Sequence, residues 1–116
     1  MNQAMPLPIT SAGSTKPPYI HAIQFDGELY FKATGDGMKP TINPSDYVGI
    51  TACSHYQGSG IYLIETNGLV QICRLSRHRN GICIITDNPV YENEIVPEHM
   101  FRVLAKADCV LKKCAA

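Results

Sequence analysis

Three turn dipeptides, Asp26-Gly27, Asn67-Gly68 and Asn80-Gly81, constrain this chain more than any other feature. Each lies between short runs of apolar and β-branched residues. A two-residue hairpin loop of the type I′ class needs positive φ at both central positions, which Asn-Gly and Asp-Gly tolerate best. The flanking runs therefore read as antiparallel strands over residues 19–25, 28–34, 47–51, 61–65, 69–75 and 82–86. Asn43-Pro44-Ser45-Asp46 makes a further corner, residues 54–60 form a polar loop, and Asp87-Asn88-Pro89 ends a strand. Residues 101–112 give a long final strand or pair of strands. Helical signals are nearly absent. Only Pro97 to Met100 suits a helical turn, with proline at the first position. The expectation is an all-β domain, a small twisted and partly closed sheet.

Size agrees with one such domain, since 116 residues and 12.7 kDa are enough to bury a core. The first 18 residues contain Pro6, Pro8, Pro17 and Pro18 among Ser, Thr and Gly, a linker composition. Residues 1–18 are thus expected to be a flexible tail or tether, and 19–116 the folded domain. Formal charge is zero, which argues against nucleic-acid binding by this module through a basic footprint. A helix-turn-helix needs two helices with apolar spacing, and none is present. No apolar run reaches membrane-spanning length and no signal segment opens the chain, so the expected location is the cytoplasm, with no membrane partner.

Five cysteines (Cys53, Cys73, Cys83, Cys109, Cys114) include no C-x-x-C pair, and four histidines (His21, His55, His78, His99) are scattered singly. A zinc site needs closely spaced ligands, so neither a metal nor another cofactor is expected. Cys73 and Cys83 lie inside apolar strand patterns, where cysteine usually serves as a small core residue.

The most distinctive stretch is Gly35-Asp36-Gly37-Met38-Lys39-Pro40-Thr41-Ile42, a turn between two strands that can point a side chain or backbone N–H groups into open space. Together with Ser45-Asp46-Tyr47-Val48, Gly60-Ile61-Tyr62-Leu63-Ile64, Val70-Gln71-Ile72-Cys73-Arg74-Leu75 and Thr86-Asp87-Asn88-Pro89-Val90-Tyr91, it resembles the C-terminal domain of LexA and phage repressors. These motifs occur in order from about Phe31 to Val110. The resemblance implies a β-rich fold shared with bacterial signal peptidase and a self-cleaving serine–lysine peptidase. In that chemistry a serine hydroxyl attacks a peptide carbonyl, and a buried neutral lysine takes its proton.

Carried over residue by residue, both members of the dyad are missing. The family's serine belongs in Gly-Asp-Ser-Met, where this chain has Gly37; its lysine belongs in Val-Lys-Arg-Leu, where this chain has Cys73. Glycine offers no nucleophile. A thiol in an apolar pocket stays protonated and is no amine base. The resemblance therefore implies a pseudo-peptidase with no catalytic residues, and leaves Asp36, Gly37, Met38 and Cys73 as a candidate groove for a ligand or peptide. Cys73 activated by His55 or His78 is the competing enzymatic reading. Ala12-Gly13 resembles the family's cleavage dipeptide but also reads as plain linker.

Arg74, Arg77, His78 and Arg79 cluster near one hairpin tip, suited to an acidic or phosphate partner or simply to solvation. Lys106, Lys112 and Lys113 read as lysines protecting an exposed edge. Function then divides between a regulatory domain that pairs a phage-type repressor as a homodimer, with DNA contacted by a helix-turn-helix outside this chain, and a peptidase with a non-standard nucleophile. An accessory subunit of a DNA-damage-tolerance polymerase is a third possibility within the same fold.

Overall fold

The computed structural model describes residues 22–112. Eight strands follow in chain order: β1 (Ala22–Phe25), β2 (Glu28–Lys32), β3 (Tyr47–Ala52), β4 (Gly60–Thr66), β5 (Leu69–His78), β6 (Gly81–Ile85), β7 (Glu94–Val96) and β8 (Arg102–Leu111). One 3-10 turn, Glu98–Met100, follows Pro97, which stands at its N-cap rather than inside it. The all-β expectation holds. All strands join one antiparallel sheet in the order β1-β2-β3-β8-β4-β5-β6-β7, so the order is open, with β1 and β7 at its edges. The strand β7 had no signal in the sequence; it is three residues long and largely exposed.

Two of the three turn dipeptides form as expected. Phe25 pairs with Glu28 and Thr66 with Leu69, leaving Asp26-Gly27 and Asn67-Gly68 as two-residue loops with φ of 54° and 80°, and 51° and 84°. The third differs. His78 pairs with Gly81, so the loop is Arg79-Asn80 and Gly81 opens β6. Glycine is needed there for another reason: a Cβ would sit 2.4 Å from the Val96 carbonyl oxygen, and φ is 146°. The absent side chain lets β7 close onto β6.

The final strand lies in the middle of the sheet. β8 pairs with β3 on one side and β4 on the other, each with a register shift, at Gly49/Ile50 and Leu63/Ile64. This corrects the reading of its lysines as edge protection. Lys106 Nζ stands 5.6 Å from the Tyr62 ring centroid and donates to the Gln57 carbonyl. Lys112 forms a 2.9 Å ion pair with the buried Asp46 and donates to the Thr41 carbonyl. Lys113 lies outside the described residues, as do residues 19–21 of the expected first strand.

Two apolar clusters form. One gathers Phe31, Ala33, Met38, Ile42, Val48, Ile50, Leu63, Leu104 and Ala105; the other gathers Tyr62, Ile64, Cys73, Leu75, Ile82, Ile84 and Val103. Side chains alternate along a strand, so Leu63 enters one cluster and its neighbours Tyr62 and Ile64 enter the other. All three are fully buried, and β4 therefore has no solvent face. That explains its unbroken apolar run. Tyr62, the one polar tip among them, is satisfied: its hydroxyl accepts from Gln57 N–H and donates to the Gly58 carbonyl, each at 2.7 Å.

Candidate functional site

The segment between β2 and β3 folds back as a compact loop over the first cluster. Ala33 N–H donates to the Asp46 carbonyl, Ser45 N–H to the Ala33 carbonyl, and Ile42 N–H to the Met38 carbonyl. Asp46, 2% exposed, also accepts from Asn43 N–H. Met38 and Ile42 point inward and are buried, which fixes the preceding Gly35-Asp36-Gly37 turn at the surface.

That turn is braced by the Asp87-Asn88-Pro89 segment. Asn88 N–H donates to the Gly37 carbonyl at 2.9 Å, and the Asn88 side-chain amide donates to the Asp36 carbonyl at 2.9 Å. Its side-chain oxygen accepts from Val90 N–H, the local bond expected of an Asx turn. Tyr91 donates its hydroxyl to the Asp36 carboxylate at 2.7 Å, and this acceptor holds the phenol above its ordinary pKa. One asparagine thus occupies the outward carbonyls of both residues where the turn bends.

Asp87 braces a second connection. Its carboxylate receives Arg74 Nε and Nη2 at 3.0 and 2.8 Å and the Thr41 hydroxyl at 2.5 Å. The hydrogen bond from Arg74, partly offset by desolvation and aided by Thr41, holds this carboxyl below its usual range. Arg74 is therefore not part of a solvated tip cluster. Arg77 is also engaged, lying 5.0 Å from the Tyr56 ring centroid and pairing with Glu98 at 3.2 Å.

Between the braced turn and β5 opens a cavity of about 470 Å³. Its floor is apolar, from Phe31, Ala33, Met38, Ile42, Val70, Ile72 and Ile84; its rim carries Asp36, Gly37, Gln71, Thr86, Tyr91, Glu92 and Glu94. Of the four residues singled out in the sequence, Asp36, Gly37 and Met38 stand in this wall, whereas Cys73 does not. Cys73 pairs across the ladder with Tyr62 and is fully buried in the second cluster. Burial alone pushes its thiol up to about 12. The two histidines considered as its activators are engaged locally: His55 Nδ1 lies 3.0 Å from Ser54 Oγ, and His78 Nδ1 accepts from Asn80 N–H. Sequence reasoning missed Glu92, Glu94, Thr86 and Tyr91, because no local pattern announces that a turn some fifty residues downstream completes the wall. No group of three or more metal-ligating side chains gathers among the described residues.

The family model for Peptidase S24-like proteins matches residues 13–108. The chain belongs to that family. It is also 30% identical over 76 residues to the 26 kDa repressor protein of Escherichia phage HK022. That match covers 62% of this chain and 32% of the relative, so the chain corresponds to about a third of that protein's length. Within this S24 member, the turn, its asparagine brace and the adjoining cavity are present as one unit. No helix among the described residues is long and apolar enough to cross a membrane.

Proposed function

We propose that this chain is the regulatory and pairing domain of a phage-type transcriptional repressor, built on the S24 scaffold without self-cleaving chemistry. The observation that carries the second half is the pair of positions where the family resemblance places serine and lysine. Gly37 has no side chain, and Cys73 is a buried thiol held protonated far above neutral pH. Neither a nucleophile nor an amine base stands there. The cavity beside Gly37 is then a groove that holds a segment without cutting it.

The kinship with the phage HK022 repressor supports the regulatory role. In this reading DNA is contacted by a separate helix-turn-helix unit, and this domain brings two such units together on two half-sites. An apolar row on the outer face of β1, β2, β3 and β8 suits pairing. Ile23, Tyr30, Gly49 and Cys109 lie in successive register, and Phe25 and Leu111 are 69% and 50% exposed nearby.

Two measurements test the reading. Sedimentation velocity up to high micromolar concentration is expected to show a concentration-dependent dimer; a monomer throughout overturns the pairing. Incubation at pH 10 is expected to leave the chain intact by mass spectrometry. A single clean cut in the unaltered protein overturns the pseudo-peptidase reading.

A further inference from the structure

The cavity wall is acidic. Asp36, Glu92 and Glu94 stand in its wall, and neither lysine nor arginine does. Elsewhere in the described residues four carboxylates meet cations, Asp46 with Lys112, Glu65 with Arg102, Asp87 with Arg74, and Glu98 with Arg77, while Asp26, Glu28 and Asp108 form no ion pair there. None of the three cavity carboxylates has such a partner among the described residues.

The backbone beside the cavity is also half-satisfied. β5 pairs with β4 over residues 69–75 but with β6 only over residues 74–78. Residues 69–73 therefore have a ladder partner on one side alone, and Val70 and Ile72 of this stretch line the cavity. An unpaired strand edge is a template on which an extended segment can add. A third observation concerns the same wall. Thr86 Oγ1 is buried at the wall and has no hydrogen-bond partner, a state that native proteins rarely leave uncompensated.

We infer that the groove takes an extended peptide from another molecule, in which an apolar side chain is followed two positions later by lysine or arginine. The peptide lies along the free edge of β5. Its apolar side chain fills the floor between Val70, Ile72 and the braced turn. Side chains two apart share a face of an extended strand, so the basic one reaches the carboxylate rim. The inference rests on the reading of the groove as one that holds a segment without cutting it. It adds the chemistry of what is held.

The test is a heteronuclear NMR titration of the full chain with three probes. They are acetyl-Thr-Leu-Thr-Lys-Thr-amide, the same peptide with norleucine in place of lysine, and n-hexylammonium. The lysine peptide is expected to shift the amide signals of residues 35–38, 69–73, 86 and 91–94 and to saturate. Three exposed carboxylates, each contributing a surface-pair energy, make it about tenfold tighter than the norleucine peptide. The double variant Glu92→Gln, Glu94→Gln, at two exposed positions, is expected to remove most of that preference. Equal affinity for the lysine and norleucine peptides overturns the charge selectivity and leaves the groove reading standing. Hexylammonium binding as tightly as the lysine peptide overturns the strand pairing. Absence of shifts with all three overturns both the inference and the groove reading, and leaves the cleavage and pairing measurements untouched.

Discussion

At the scale of single residues, the charges that matter are those whose partners are far away in sequence. Asp87 joins three parts of the molecule through Arg74 on β5 and Thr41 in the loop over the first cluster. Its folded pKa lies below the unfolded value, so the stabilisation is present above about pH 4 and is lost as pH falls through the folded pKa. Arg74 is 39% exposed at its side chain, so solvent screening keeps the energy near 1 kcal/mol. Asp87→Asn is expected to lower stability by about that much at pH 7. The gap between wild type and variant should close below about pH 4, as read by urea unfolding at several pH values. A gap that stays constant down to pH 2.5 contradicts the ion-pair account. Cys73 has the opposite sign: its raised pKa means stability is lost as pH rises above the unfolded thiol value near 9.

Among the elements, the loop over residues 33–46 matters most for the site, and it has no regular structure of its own. Its shape comes from Met38 and Ile42 inside, Asp46 beneath, and Asn88 outside. Asn88→Ala removes the side-chain donor to the Asp36 carbonyl and the acceptor for Val90 N–H, at a cost of about 1 kcal/mol in global stability. Hydrogen exchange is expected to accelerate over residues 35–42 more than in β4 or β8; uniform acceleration argues against a local brace. The hairpins of β1–β2 and β4–β5 were legible because Asp-Gly and Asn-Gly act on immediate neighbours. The glycines and proline of residues 35–42 likewise marked a turn, because their effect is local. What local pattern could not carry was the pairing of that turn with Asn88 and Tyr91, the place of β8, or the true partner of Arg74. Each of these is a contact between distant segments, decided by the sheet order. The role of Gly81 was hidden for the same reason, because the atom it makes room for belongs to Val96.

For the whole molecule, the two apolar clusters share β4 and β8, which makes them one cooperative unit in spite of lying on opposite faces. Leu63→Ala opens a cavity in one cluster and Ile64→Ala in the other; each is expected to cost about 2–5 kcal/mol. Both variants should still unfold in a single transition, with intrinsic tyrosine fluorescence and far-UV circular dichroism coincident. Two separated transitions in either variant would show that the halves of the sheet melt independently. The position of β8 also has a consequence for how the molecule is made. Tyr47 pairs with Leu111 and Ala52 with Ala105, so the strand that joins the two halves is the last of the eight to be synthesised. Until residue 111 emerges from the ribosome, β3 and β4 each present a bare flank with no neighbour between them. Such flanks can pair with other nascent chains, and closing them requires contacts of long sequence separation, which form slowly. The cell's problem with this small domain is therefore one of timing, and its most exposed moment comes just before β8 emerges.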